Sequence, residues 1–236
     1  MNSDLPKVLL PLKGRSLIQR LLDAVEKSKI TKAPLIVVGQ GADQVRAALG
    51  DKYNYVFQNK QLGTGHAVLS AKEFLKNDGE NIMVLYGDHP LVSASTINTI
   101  AEAHCNSGSV ITMATVLIDD FEDWRAGFND YGRIIRNGGG RIDRIVEKKD
   151  ASEEEKLVKE VNPSYFCFKA DWLWKSLGEI TNDNAQKEYY LTALPHIAKA
   201  SGEPITTVVI EPHEALGANT PEQLKILEQL MGDLAD

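Results

Sequence analysis

Hydrophobic positions recur along this chain with two periods. Leu17, Ile18, Leu21, Leu22 and Val25 fall at helical spacing and predict one buried helix face. Short apolar runs at 35–38, 55–58, 82–86 and 110–117 predict strands, and the segments 44–49, 66–75 and 94–105 between them predict helices. This alternation predicts a mostly parallel sheet with right-handed crossovers and helices on both faces. After Ile118 the pattern changes. Residues 131–136 and 141–146 predict a hairpin around Gly138, Gly139 and Gly140. The charge-rich stretch 148–159 reads as a solvated loop or helix, 165–168 as a strand and 171–177 as a short helix. Residues 188–200 read as a helix bent at Pro195, 205–210 as a last core strand, and 221–230 as an amphipathic helix with Pro221 in its first turn. Residues 1–6 are polar and turn-like. No repeat, low-complexity tract or linker interrupts the chain, so residues 1–236 are expected to form one domain. Its second half, 118–236, is a smaller β-rich lobe sharing the core of 1–117.

The most informative stretch is 81–92. Its apolar run ends at Gly87, Asp88 follows at the strand's carboxyl end, and Pro90 stops the ladder. Ligands of open α/β sheets bind just beyond such strand ends, where a carboxylate can hold Mg²⁺ beside a phosphate. A bare Gly-Asp would serve equally as a helix cap. A second stretch, 61–67, spaces Gly63 and Gly65 around Thr64 ahead of a helix. The glycines allow a close approach of backbone to a flat ligand, and Gln58 upstream carries both a donor and an acceptor for a nucleobase edge. Gly39-Gln40-Gly41 also follows a strand, but Gln44 stands where a dinucleotide fingerprint needs a small residue, so it is rejected as a cofactor site. Lys7 can neutralise a phosphate or simply be a surface lysine.

Composition narrows the class without identifying it. At 236 residues, 43% hydrophobic and 25% charged, the chain is ordinary for a globular α/β protein. No apolar run reaches the ~20 residues that span a bilayer. The formal net charge of −7 gives no reason to expect nucleic-acid binding. Cys105 and Cys167 lie far apart and form no metal pattern, so a reduced, cytoplasmic protein is expected.

Several stretches occur in a telling order: 3–9 (Ser-Asp-Leu-Pro-Lys-Val-Leu), Gln58 with 61–67, 85–91 (Leu-Tyr-Gly-Asp-His-Pro-Leu), 131–134, 145–151, 160–162, 184–192 and 217–219. Together they resemble the pyrophosphorylase domain of bacterial N-acetylglucosamine-1-phosphate uridylyltransferases over nearly the whole chain. The resemblance implies a Rossmann-like fold and transfer of UMP from UTP to a sugar 1-phosphate, giving a UDP-sugar and pyrophosphate. It implies that Asp88 and Asn219 hold Mg²⁺ and that Lys7 acts with Asp88 in catalysis by neutralising phosphate. Gln58, Gly63, Thr64, Tyr86 and Gly87 would hold the nucleotide, and Gly132, Glu147, Asn162 and Asn219 the sugar. UTP and the sugar 1-phosphate are the implied partners, with no nucleic acid or membrane.

The sequence departs from that pattern in four places. The family's opening strand and glycine-rich triphosphate loop have no counterpart before Met1, so the first central strand of the sheet is expected to be missing. Asn162-Pro163-Ser164 replaces Asn-x-Gly, Ala193 replaces an acid, and the chain stops at Asp236 before the family's β-helix acetyltransferase domain. Acetyl transfer and a trimer built on that helix are not expected. If the opening is truly lost, the alternatives are a non-catalytic sugar-nucleotide-binding homologue or an inactive truncated fragment.

Overall fold

The computed structural model of the chain describes residues 5–233; the turn-like reading of 1–4, with Ser3 and Asp4 of the first motif, lies outside them. In chain order the strands are β1 (Pro11–Leu12), β2 (Arg15–Ser16), β3 (Leu35–Val38), β4 (Asn54–Phe57), β5 (Asn81–Val84), β6 (Ile111–Leu117), β7 (Gly132–Arg136), β8 (Ile142–Val146), β9 (Glu160–Asn162), β10 (Phe166–Lys169) and β11 (Ile205–Val209). The helices are α1 (Leu17–Ser28), α2 (Ala42–Leu49), α3 (Thr64–Ser70), α4 (Lys72–Leu75), α5 (Ala94–Ser107), α6 (Glu153–Lys156), α7 (Ala170–Ser176), α8 (Leu194–Ala200) and α9 (Pro221–Asp233).

The longest strand, β6, is the spine of a seven-stranded sheet with the order β5-β10-β6-β9-β7-β8 and β11 beside β6. Six of its seven residues are buried, without alternation, because helices cover both faces. Leu17, Leu21 and Val25 of α1, Ile97 and Ile100 of α5, and Leu227 of α9 form one core cluster. Val68 of α3, Leu173 and Trp174 of α7, and Leu194 and Ala198 of α8 belong to the other. Ser16 caps α1 and Ser93 caps α5 through their side-chain oxygens.

A second sheet, the parallel pair β3–β4, has its own core of Ile18, Leu22, Ile36, Val38, Val45 and Tyr53. The wide apolar stripe of α1 therefore serves two sheets. Among the described residues β3 pairs only with β4 and β5 only with β10, so no strand joins the two sheets.

The Rossmann-like α/β class is as expected, but the pairing is more mixed than a mostly parallel sheet. Among the described residues only β3–β4 and β6–β11 are parallel. The cause is the segment 160–169. It runs antiparallel to β6 as an interrupted strand, β9 then β10, and β10 inserts between β5 and β6. The interruption falls at Pro163, which has no N–H to donate, and at Ser164, whose φ is +64°.

Two further expectations are corrected. Residues 188–200 are not one bent helix: α8 begins at Leu194 after a 3₁₀ turn, and Pro195 sits in its first turn, where its missing N–H costs nothing. The predicted helix 66–75 divides into α3 and α4 at Ala71. A small hairpin, β1–β2, precedes α1, turning at Lys13 and Gly14, both at positive φ. Among the described residues no helix is long and apolar enough to cross a membrane.

Candidate active site

Asp88 lies just past β5, reached through Tyr86 and Gly87. Its Oδ2 accepts from Lys7 Nζ at 2.5 Å, and the same nitrogen donates to Asn219 Oδ1 at 2.5 Å. The Asp88 and Asn219 oxygens therefore lie within twice that distance of each other, although the two residues are far apart along the chain. The Asp88 side chain is only 15% exposed. Burial pushes its carboxyl up, and the His89 and Lys7 charges outweigh that and hold it below its ordinary value. Burial also depresses the His89 pKa, so Lys7 carries the effect at neutral pH.

The second group surrounds the loop before α3. Gly63 has φ +105°, and a Cβ there would meet the Tyr189 carbonyl oxygen at 2.7 Å. Its glycine is thus required by the protein's own backbone. The Gly65 N–H donates to Tyr189 O at 2.8 Å, and the Tyr189 N–H to Leu62 O at 2.7 Å. Thr64 Oγ1 accepts from the Leu191 N–H at 2.9 Å. The resemblance implies that Thr64 holds the nucleotide, whereas these contacts engage its hydroxyl and the Gly65 N–H within the fold. Gln58 Nε2 donates to Gly63 O at 3.2 Å and lies 3.0 Å from His66 Nδ1, which leaves its carbonyl oxygen for a ligand.

In the third group, Gly132 and Asn162 are opposite each other in β7 and β9. A Cβ on Gly132 would stand 3.4 Å from Glu147 Oε1. That oxygen accepts from Thr192 Oγ1 at 2.7 Å. Burial raises the Glu147 pKa; the Thr192 hydroxyl opposes this, and the charges of Asp150 and Glu188 add to it. Asn162 is buried and folds back on the strand break: Oδ1 accepts from the Ser164 N–H at 3.0 Å, and Nδ2 donates to Ser164 Oγ at 3.1 Å. The serine that replaces the usual glycine keeps a left-handed backbone because Asn162 holds it there.

Tyr86 links the groups. Burial pushes its phenol up to about 12, and its hydroxyl interacts with Thr64 and Ser164 while feeling the charges of Glu147 and Asp88. All the sequence-named residues thus belong to three neighbouring sets joined at Tyr86. Sequence reasoning missed Thr192, Ser164 and the aromatic set His89, Tyr131 and Tyr165 as site residues. Position alone, His89 directly after Asp88 and Thr192 after the paired tyrosines, was the available signal.

A cavity of about 620 Å³ opens elsewhere, along Gly39, Gln40, Gly41, Arg46, Tyr55 and Phe57. None of its lining residues is in the three groups, although Val38 O accepts from the Gln58 N–H at 2.8 Å. Gly41 has φ +80°, and a Cβ there would strike Pro6 at 2.6 Å, so that glycine is explained by packing.

For a cation, the donor set is informative. Two oxygens from remote parts of the chain already converge on one ammonium. That suits a hard ion that keeps most of its own water, as Mg²⁺ does. Among the described residues no cluster of three or more His, Cys, Asp or Glu side chains is placed to hold a metal. The nitrogen- and sulfur-rich sets that select zinc are therefore not found there.

An α/β sheet with a carboxylate and a lysine beyond a strand end, beside a glycine-bearing loop, is an arrangement that nucleotidyl transfer can use. The family model described as a MobA-like NTP transferase domain matches residues 1–190, and the chain belongs to that family. It is 40% identical over 232 residues to the bifunctional protein GlmU of Brevibacillus brevis, covering 98% of this chain and 49% of that protein. It is also 40% identical over 231 residues to GlmU of Caldanaerobacter subterraneus, with the same coverage. The chain spans about half the length of these curated relatives. Among solved structures, a UDP-glucose pyrophosphorylase complexed with UDP-glucose superposes with a TM-score of 0.73 at 15% identity, covering 98% of this chain and 91% of that one. The 4-diphosphocytidyl-2C-methyl-D-erythritol synthase of Anaerococcus prevotii gives 0.65 at 13% identity, covering 94% and 88%. At such identities the likeness concerns the fold.

Proposed function

We propose that this chain transfers UMP from UTP to N-acetylglucosamine 1-phosphate, or a related sugar 1-phosphate, releasing pyrophosphate. The observation that carries the reading is the convergence of Asp88 and Asn219 on one cationic nitrogen. Membership of the NTP transferase family supports it. A phosphate oxygen of the sugar 1-phosphate bonds to the α-phosphorus of UTP. The bond to the oxygen bridging the α- and β-phosphorus breaks, and pyrophosphate leaves with the electron pair. Both reactants are polyanions, so the chain's task is to align them and neutralise charge.

Lys7 supplies a positive charge where the phosphates meet. Asp88 and Asn219 would hold Mg²⁺ through one oxygen each, and when bound that ion neutralises charge on the phosphate oxygens. Gln58 presents its carbonyl to the uracil imide N–H, within a subsite shaped by Gly63, Thr64, Tyr86 and Gly87. Glu147 accepts from a sugar hydroxyl, between Gly132 and Asn162. On this reading 1–236 is one transferase unit with a nucleotide half, 1–117, and a sugar half, 118–236, acting in the cytoplasm.

The test is pyrophosphate release by this chain from UTP and N-acetylglucosamine 1-phosphate with Mg²⁺. Release is expected, with Asp88→Asn and Lys7→Met each lowering it by about 100-fold or more. No release above background, with UDP-N-acetylglucosamine still bound in calorimetry, would overturn the transfer and leave a sugar-nucleotide-binding protein.

A further inference from the structure

His89 is buried, follows Asp88 directly, and has no part in the proposed chemistry. Its ring is the centre of an aromatic cluster. It stacks near Tyr131 with centroids 6.1 Å apart, meets Tyr165 edge-on at 5.4 Å, and lies 5.9 Å from Tyr86. Its hydrogen bonding is directional. The Tyr165 hydroxyl donates to the Glu214 carbonyl at 2.8 Å, since a carbonyl can only accept. The Tyr165 oxygen then accepts from His89 Nδ1–H at 2.9 Å.

The far side of this cluster is the segment that delivers Asn219. Tyr165 grips it at Glu214. The Tyr131 hydroxyl donates to Ala215 O at 2.7 Å and accepts from the Gly217 N–H at 3.2 Å. The Ala218 N–H donates to Asp88 O at 3.3 Å. Between them the His89 ring fills the space above Gly217 so closely that a Cβ there would stand 2.8 Å from its Cδ2 and 2.9 Å from its Nε2. The segment can approach Asp88 no nearer than this ring allows, and the two tyrosines prevent it from receding.

We propose that His89 is a positioning residue: held by Tyr165 and pressed against Gly217, it fixes the separation of the Asp88 and Asn219 oxygens and so sets the affinity of the chain for a divalent cation. This rests on the reading of those two side chains as cation ligands. Partners that orient metal ligands are commonly worth 10–100-fold in metal affinity.

The test is titration of the chain with Mn²⁺ alone, followed by water-proton relaxation, alongside calorimetry with UDP-N-acetylglucosamine without metal and a thermal melt. His89→Phe keeps a ring but loses the Nδ1 donor, and Tyr165→Phe removes its acceptor. Each is expected to weaken Mn²⁺ about tenfold or more, with the double variant no worse than either single one. His89→Asn, with a donor near the Nδ1 position, is expected to recover part of the loss. The sugar nucleotide should bind within about twofold of the parent, a result that general loosening would not give. Unchanged Mn²⁺ affinity in folded His89→Phe and Tyr165→Phe, while Asp88→Asn abolishes it, would overturn the positioning role alone. Retention of Mn²⁺ binding by Asp88→Asn would instead overturn the assignment of the cation ligands, and this inference with it.

Discussion

Replacing Arg133 with lysine is expected to destabilise the fold by roughly 1–3 kcal/mol. Arg133 is completely buried on β7, next to Gly132, and every hydrogen-bond acceptor found for it among the described residues is neutral. Its guanidinium instead spends its donors on backbone and amide oxygens. Nε donates to Lys156 O at 3.2 Å, and Nη1 to Phe128 O at 3.4 Å and, by a very short contact, to Tyr131 O. Nη2 donates to Asn129 O at 3.2 Å and Asn129 Oδ1 at 3.1 Å, and the group lies 4.6 Å from the centre of the Phe121 ring. A lysine ammonium has three donors and no planar fork, so at least two of these acceptors lose their partner. Asn129 is exposed and its two oxygens can turn to water, whereas a buried carbonyl such as that of Phe128 left without a partner costs about 1–3 kcal/mol, which gives the range above. Urea unfolding followed by tryptophan fluorescence reads the change as a lower midpoint at an unchanged slope. The consequence reaches the site, because Tyr131 presents its carbonyl to Arg133 and its hydroxyl to the segment carrying Asn219. A loss of less than about 0.5 kcal/mol, the scale of an ordinary surface substitution, would refute the reasoning and mean that water already serves those carbonyls.

Gly63→Ala must move backbone rather than a flexible side chain, since its Cβ would meet Tyr189 O and N; a cost of about 1–3 kcal/mol is expected, with weaker binding of a uridine nucleotide by calorimetry. Glu147→Gln is expected to stabilise the chain at neutral pH while weakening sugar-phosphate binding. The raised folded pKa of Glu147 means that the native state holds the proton longer, so stability falls as pH rises from the ordinary glutamate range through the folded value. The variant should lose that slope in chemical denaturation. Asp88 has the opposite sign: its depressed folded pKa contributes stability above the ordinary aspartate range, lost as pH falls through the folded value. Lys7→Met is expected to bring acid unfolding to a higher pH, read by circular dichroism. Thr192→Val removes the one side-chain hydrogen bond that opposes the burial of Glu147, and should raise its pKa further in a carboxyl-carbon NMR titration.

Elements whose burial is periodic could be read directly from the chain. The stripe of α1, the run of β3 and the hairpin β7–β8 each declare themselves within a few residues, because their partners are local or their faces are uniform. What could not be read was the direction in which distant strands meet. Nothing in residues 160–169 signals that they return along β6 and separate it from β5. That pairing is settled by contacts such as Phe166 opposite both Val84 and Met113, more than fifty residues away in either case. The helix expected over 188–200 failed for a related reason. The Tyr189 and Leu191 N–H groups go to Leu62 O and Thr64 Oγ1, and backbone committed to another segment cannot also close a helical turn.

The site divides along the same line. Asp88, Thr64 and Glu147 could be named because a strand end, a glycine-flanked loop and an ordered set of motifs mark them. The groups that give them geometry could not, since their part lies in which atom they face. Tyr165 is a core aromatic and Tyr131 packs against the same core, yet each hydroxyl is spent on a different residue of the segment before Asn219. Burial pushes both phenols far up, so they remain neutral at any physiological pH and Tyr131 can donate to a carbonyl while accepting an amide proton. An exposed asparagine joins Asp88 in a candidate cation site only because buried hydroxyls, invisible to any period or motif, fix the backbone from which it projects.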